Sequence, residues 1–132
     1  MNEAVRQLAR HRFGRSREAL RDGELLLAQG ALAGAANRFY YSVFYAARAL
    51  LATKDVDSSR HSGVIGLFQK HFVKSGMIDA ATAKTLPRAF EKRQKSDYGD
   101  FAVLTPAEVQ TLRDEATRFV DECSSLLERL AS

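Results

Sequence analysis

A chain of 132 residues has room for one domain with a real core, and its composition, 45% hydrophobic and 27% charged with two prolines, excludes a disordered or fibrous protein. No run of about eighteen apolar residues is present to cross a membrane, and the single cysteine, Cys123, excludes an internal disulfide or a thiolate zinc cage. The net charge of +4 hides two local excesses: six arginines against Glu3 and Glu18 in residues 1 to 21, and Lys84, Arg88, Lys92, Arg93 and Lys95 against Glu91 in residues 84 to 95. Such patches fit a polyanionic partner, or simply solvated helix faces. The N-terminal stretch "MNEAVRQLARHRFGR" lacks the apolar centre of a secretory signal, so a cytoplasmic protein in a reducing compartment, away from any membrane, is expected.

Helical spacing predicts a first amphipathic helix over residues 3 to 28, with Val5, Ala9, Phe13, Ser16, Leu20 and Leu27 on one side and Arg6, Arg10, Arg17 and Arg21 on the next stripe. Gly30 and Gly34 end it. From Ala31 to Thr53 apolar bulk spreads around the helix: Ala36, Tyr40, Val43, Ala47, Leu50 and Leu51 form one face, while Phe39, Phe44 and Tyr45 fill others. A helix apolar on nearly all sides sits at the centre of a bundle, so its polar members Asn37, Arg38, Tyr41 and Arg48 must find partners. Residues 53 to 63, "TKDVDSSRHSG", read as a loop, followed by a shorter helix carrying Val64, Leu67, Phe68, His71 and Phe72 and closed by Gly76. Asp79 caps a helix from 80 to about 95, which Pro87 kinks or splits.

"RQKSDYGDF", residues 93 to 101, interrupts the helical pattern with charge. After it, "TPAE" combines Thr105 as N-cap, Pro106 at the first helical position and Glu108 to complete a capping box. Val109, Leu112, Ala116, Phe119, Cys123, Leu126 and Leu130 then recur every three or four residues, a seam that packs within the chain or across a dimer. No segment alternates like a strand, and no repeat or linker is visible. The expected architecture is a single all-α domain spanning 1–132, an antiparallel up-down bundle of about five helices.

Among candidate chemical groups, His11, His61 and His71 lack the H-E-x-x-H spacing or a nearby carboxylate pair, so no metal site is expected. No glycine-rich phosphate loop exists, and no cofactor is expected either. Cys123 sits in the seam, where it serves as a small hydrophobe. The more specific constellation is Asn37, Arg38, Tyr41, Tyr45 and Arg48 on adjoining turns, with Arg93, Asp97, Tyr98 and Asp100 after the fourth helix. Guanidinium groups bind phosphate and tyrosine rings stack on bases, which is what a nucleotide or single-stranded RNA needs. Positions 48, 93 and 98 are then expected to share an exposed pocket. The competing expectation makes the tyrosines core residues and pairs Arg48 with Asp97 as a structural ion pair.

Three stretches, "GALAGAANRFYYSVFYAARALL", "SSRHSGVIGLFQKHFVKSG" and "FEKRQKSDYGDF", resemble in order and spacing the HEPN domain (higher eukaryotes and prokaryotes nucleotide-binding), and within it a prokaryotic branch with an N-R-x-Y-Y helix, an H-S-G turn and an R-x-x-x-D-Y-G segment. The resemblance covers roughly residues 15 to 130. It implies a helical bundle of four to five helices that pairs as a homodimer. Many family members are toxins of toxin–antitoxin pairs that cut RNA without metal, and their usual partner is a minimal nucleotidyltransferase that adds nucleotides to a family tyrosine. The ribonucleases use an R-x(4–6)-H motif in which histidine handles protons and arginine stabilises the phosphorane. Counted from Arg93, the histidine positions hold Tyr98, Gly99 and Asp100; the formal match from Arg6 to His11 lies on the wrong helix.

The residue chemistry and the resemblance together give the expected reading: nucleotide or RNA binding by Asn37, Arg38, Tyr41, Arg48, His61, Arg93 and Tyr98, with Asn37 and His61 included as matches to residues of the branch, without the ribonuclease histidine, in a protein that works beside a nucleotidyltransferase. Arg93, Asp97 and Tyr98 are the catalytic candidates of the alternative, a ribonuclease toxin that uses Tyr98 and Asp97, or a remote His61, for the imidazole. A structural helical adaptor is the third alternative.

Overall fold

The computed structural model describes residues 1–98 and 103–131, with Tyr98 described by its backbone only. The expectations for the side chain of Tyr98, for Gly99 and for Asp100 lie outside the described residues. Among the described residues every regular element is helical: α1 (Glu3–Ala28), α2 (Leu32–Ala52), α3 (His61–Phe68), a single turn α4 (Ala80–Ala83), α5 (Thr85–Tyr98) and α6 (Pro106–Ala131). The all-α bundle of about five helices holds, with α4 as an extra turn.

α1 starts at Asn2, whose side-chain oxygen accepts from the Val5 amide at 2.9 Å. It stops in a Schellman closure: the Ala31 amide bonds to the Leu26 carbonyl and the Gly30 amide to the Leu27 carbonyl, with Gly30 at φ 76°. That three-residue turn sends α2 back along α1. Their contact is close because the inner face of α1 is small, with Ala9, Ser16, Ala19 and Gly23 all buried. A Cβ on Gly23 would lie 2.7 Å from the Phe39 ring, so this crossing requires glycine. Ser16 Oγ donates to the Ser42 carbonyl at 2.6 Å, which satisfies the one hydroxyl buried in that seam from α1.

α2 is the central helix, as its all-round apolar pattern predicted: thirteen of its residues are buried, and it packs on α1, α3, α5 and α6. The α6 seam closes within the chain. Val109, Leu112, Ala116, Phe119, Cys123 and Leu126 are all buried in the one core, while Leu130 is half-buried. Its predicted start is present: Thr105 Oγ1 accepts from the Glu108 amide at 3.1 Å, and Glu108 Oε1 accepts from the Thr105 amide at 3.5 Å.

Three boundaries differ from the sequence reading. α3 begins at His61, so H-S-G is its first helical turn rather than loop. Serine, aspartate and glycine suggested a loop, but Gly63 is glycine for a packing reason: a Cβ there would collide with Ser58 Oγ and lie 2.7 Å from Ser58 Cβ. α3 then continues as a π-helical turn, Gln69–Val73, in which the Lys74 amide reaches the Gln69 carbonyl. The helix expected over 80 to 95 is split at Lys84, and Pro87 falls in the first turn of α5, where a missing amide hydrogen breaks no intrahelical bond. Finally, α5 runs through Tyr98, so Arg93 and Asp97 lie one turn apart on a helix rather than on a loop.

Candidate functional site

The long chain reversals bring one edge of α2, the first turn of α3 and the second half of α5 together. His61 is the meeting point. Its ring stacks on Phe44 from α2, with centroids 4.7 Å apart and 27° between planes, and on Phe90 from α5 at 5.7 Å and 29°. Its Nδ1 shares a hydrogen bond with the Tyr40 hydroxyl. Burial holds the His61 pKa below its ordinary value of 6.5, and the nearby Arg93 charge adds to the effect. The imidazole is therefore neutral at pH 7.

Tyr40 is fully buried, and that burial pushes its phenol well above the usual tyrosine value; the neighbouring Tyr41 adds to the shift and Arg93 opposes it. A phenol that keeps its hydrogen can donate it to Nδ1, which leaves Nε2 of His61 as the ring N–H.

Arg93 completes the group. Its guanidinium carbon lies 5.7 Å from the Tyr40 ring centroid and 5.5 Å from that of Tyr41, within cation–π range. Asp97 holds it from the next turn, with Nε to Oδ2 at 2.9 Å. Both side chains of this pair are largely shielded, at 15% and 26% exposure, so the guanidinium is fixed in direction more firmly than a typical surface ion pair. On the other side, Arg38 lies 5.1 Å over Tyr41, and its Nε donates to Asn37 Oδ1 at 3.2 Å.

Of the sequence-predicted residues, the structure thus joins Arg38, Tyr41, His61, Arg93 and Asp97, with Asn37 acting through Arg38. Arg48 serves a different contact. It donates to Asp57 from Nε at 3.1 Å and Nη2 at 2.7 Å, and Arg12 of α1 donates to the same carboxylate at 3.0 Å. The expected Arg48–Asp97 pair is not formed; each takes another partner, because the segment between α2 and α3 folds Asp57 back onto α1 and α2. Among the described residues Arg48 meets the site through Phe44, with its guanidinium carbon 5.9 Å from the ring that carries His61.

Sequence reasoning missed Tyr40, Phe44 and Phe90 as site residues, because all three sit on apolar faces. The available signal was Tyr40 itself: a tyrosine deep in an apolar stripe needs a partner for its hydroxyl.

The basic run on α5 is less open than its sequence suggested. Arg88 bonds to Glu115 and Lys92 to Glu108, each at 2.9 Å, and Lys95 lies 3.8 Å from Glu108. The hydrogen bond from Lys92 holds the Glu108 carboxyl below its usual pKa. The acidic lean of α6 therefore neutralises the outer face of α5. A groove of 640 Å³ alongside α6 is lined by Glu24, Arg113, Asp114, Arg118 and Asp121, a mixture of signs without aromatic rings that suits no polyanion. Cys123 is fully buried and its thiol is pushed up by that burial, which leaves it no nucleophilic role. No group of three or more His, Cys, Asp or Glu side chains among the described residues is arranged to hold a metal ion.

Comparison with known proteins gives a consistent result. A protein of Thermotoga maritima named "UPF0332 protein" is 39% identical over 116 residues, covering 88% of each chain. Two proteins of Methanocaldococcus jannaschii named "Putative toxin" are also similar. One is 32% identical over 93 residues, 70% of this chain and 63% of its own. The other is 28% identical over 130 residues, 98% of this chain and 96% of its own. Residues 9–127 match the family described as the HEPN domain, from the first buried turn of α1 to the last of α6, and the chain belongs to that family.

Proposed function

We propose that this protein binds RNA or a nucleotide through the Arg93 site and works as one member of a HEPN–nucleotidyltransferase pair of the toxin–antitoxin type. The observation that carries the reading is the fixed guanidinium of Arg93, held by Asp97 against the rings of Tyr40 and Tyr41 and beside a neutral imidazole. A directed guanidinium recognises phosphate, and the half-buried Tyr41 ring beside it accepts a base. The names of the Methanocaldococcus relatives support a toxin-type role. The pair would be assembled from homodimers of this chain and a minimal nucleotidyltransferase.

The direct test is binding of labelled oligonucleotides and nucleotides to the purified protein, together with co-purification of a co-expressed minimal nucleotidyltransferase. Arg93→Gln is expected to weaken nucleic-acid binding by about tenfold, the worth of one charged hydrogen-bonding partner. A wild-type protein that binds neither RNA nor nucleotide sinks the reading.

One observation favours a second reading, in which the chain itself cuts RNA. His61 stands beside Arg93 although it comes from another helix, so the imidazole missing after Arg93 in sequence is available in space. In that chemistry the ribose 2′-oxygen attacks phosphorus and the P–O5′ bond breaks. For that step His61 takes its other tautomer, with Nδ1–H donating to the Tyr40 oxygen, so that Nε2 accepts the 2′-hydroxyl proton and returns it to the leaving 5′-oxygen, while Arg93 stabilises the charge on the phosphorane. Growth arrest on expression, relieved by both His61→Ala and Arg93→Ala, is the expected outcome; harmless expression of the wild type counts against it.

A further inference from the structure

The clasp at Asp57 stands apart from the Arg93 site, yet its bonds lead to His61. Two guanidinium groups from different helices close on this one carboxylate: Arg48 of α2 through Nε and Nη2, and Arg12 of α1 through Nη2 at 3.0 Å. Arg12 also reaches past it, with Nη1 donating to the Arg48 carbonyl at 3.2 Å. The two arginine side chains are 14% and 26% exposed and that of Asp57 is 41% exposed, so both cations are more shielded than the anion they share. The hydrogen bond from Arg48 holds the Asp57 carboxyl below its usual pKa, against the partial burial that raises it. An ionised Asp57 is thus the group that lets Arg12 and Arg48 lie side by side.

From Asp57 two paths run to the imidazole. Along the chain, Asp57 Oδ1 accepts from the Ser58 amide at 2.8 Å, and Ser58 Oγ accepts from the Arg60 amide at 3.2 Å. Arg60 is the N-cap of α3, where no side chain caps the helix, and His61 is the next residue. Through space, the Arg48 guanidinium carbon lies 5.9 Å from the Phe44 centroid, and the same ring carries His61 at 4.7 Å. The turn between them includes Asp55 at φ 56°, a region that residues other than glycine seldom occupy. Such a turn keeps its shape only where the bonds around it fix it.

We propose that Asp57 is a positioning residue for His61: by clasping Arg12 and Arg48 it fixes the turn between α2 and α3, and so keeps the imidazole stacked on Phe44 and Phe90. Without the carboxylate the two arginines repel each other and the turn loses its anchor. The first turn of α3 then loosens from α2, and His61 meets water. Among the described residues, the titratable and charged groups that face the ring are Tyr40 and Tyr41 from α2 and Arg93 from α5, with Arg48 over Phe44. Arg93 disfavours the imidazolium in either state, so the change comes from restored hydration of the ring. The inference rests, for its functional weight, on the reading in which His61 carries protons; its test needs no nucleic acid.

The experiment follows the imidazole proton–carbon NMR signals of the full chain through a pH titration, with His61→Gln identifying one signal among the three histidines. In the wild type His61 is expected to titrate below 6.5. In Asp57→Asn its midpoint should rise toward 6.5 while those of His11 and His71 stay in place. Arg12→Gln should move it in the same direction, and carries the test if Asp57→Asn does not fold. The two changes together should move it no further than Asp57→Asn alone, because both act through one carboxylate. Hydrogen exchange gives a second readout: the Val64 amide, bonded to the Arg60 carbonyl in the first turn of α3, should exchange about tenfold faster in Asp57→Asn than in the wild type, with α6 amides much less affected.

A His61 midpoint that neither variant moves overturns the proposal, whatever happens to the thermal midpoint. So does a Val64 rate that rises only in step with the α6 amides, since Asp57 then supports the bundle as a whole. If the midpoint moves as expected but His61→Ala leaves RNA cleavage and growth unchanged, the positioning role stands and the proton-carrying reading falls. If cleavage needs His61 and the midpoint stays fixed in Asp57→Asn, that reading stands and the role of Asp57 falls.

Discussion

His61 is caught between two demands on an imidazole: stacking among Phe44 and Phe90 removes water from its charged form, while Tyr40 supplies a partner only to one nitrogen. A histidine held below 6.5 in the folded state couples folding to pH in a definite direction. The unfolded chain takes up a proton near pH 6.5 and the folded chain takes it up only at lower pH, so the unfolded state binds more protons in between. Stability contributed by neutral His61 is therefore complete above about pH 7 and is lost as pH falls from about 6.5 through the folded value. Urea midpoints measured from pH 7.5 to pH 5.5 should fall more steeply for the wild type than for His61→Gln; parallel curves would show that the ring is not shielded. Tyr40→Phe keeps the aromatic packing and removes only the hydroxyl. It should cost about 1–2 kcal/mol in chemical denaturation, since a half-buried nitrogen then loses its partner.

At the scale of elements, the segment between α2 and α3 decides where His61 goes. α2 ends with the Val56 amide on the Leu51 carbonyl and the Asp55 amide on the Ala52 carbonyl, and Asp55 adopts φ 56° to make the turn. Asp57 then meets Arg48 and Arg12, and Ser58 folds over the first turn of α3, where Gly63 leaves it space. Gly63→Ala puts a methyl against Ser58 Cβ, a backbone-linked atom that cannot rotate away. A loss of about 1–3 kcal/mol is expected, as for other overpacked sites, with part of it restored by Ser58→Gly. Failure of the double variant to recover would place the cost elsewhere in the turn.

The same segment explains what could be read from the sequence. α2, the α6 seam and the Thr105–Glu108 capping box were legible because their signals are local: periodic apolar residues and a four-residue pattern. The helical start at H-S-G was not, because the reason for Gly63 lies in Ser58 packing across it. The Arg93–Asp97 pair has plain helical spacing, yet its polar surroundings read as a break. The neighbourhood of His61 and Arg93 is set by how α3 and α5 close on α2, and no local spacing carries that.

Over the whole molecule, the charge that looked like two basic patches is sorted into two different faces. α6 lines up Glu108 and Glu115 against α5, so Arg88, Lys92 and Lys95 spend their charge on the bundle itself. Among the described residues, the face made by α1, α2 and the inner side of α5 carries Arg12, Arg15, Arg38, Arg48 and Arg93, three of them bonded to Asp57 or Asp97. Surface ion pairs of the first kind contribute little to stability, about 0–1 kcal/mol each, and they leave little field for a ligand. The two basic runs should therefore respond differently to the same charge removal. Arg88→Gln with Lys92→Gln is expected to shift the thermal midpoint by only a few degrees and to change oligonucleotide affinity by less than about twofold. Arg38→Gln with Arg93→Gln removes the same formal charge and should lower affinity by at least about tenfold, with a salt slope shallower by roughly 1.4 if each arginine meets one phosphate. Equal losses from the two double variants would mean that binding follows net charge alone, and the distinction between the faces would then carry no functional weight.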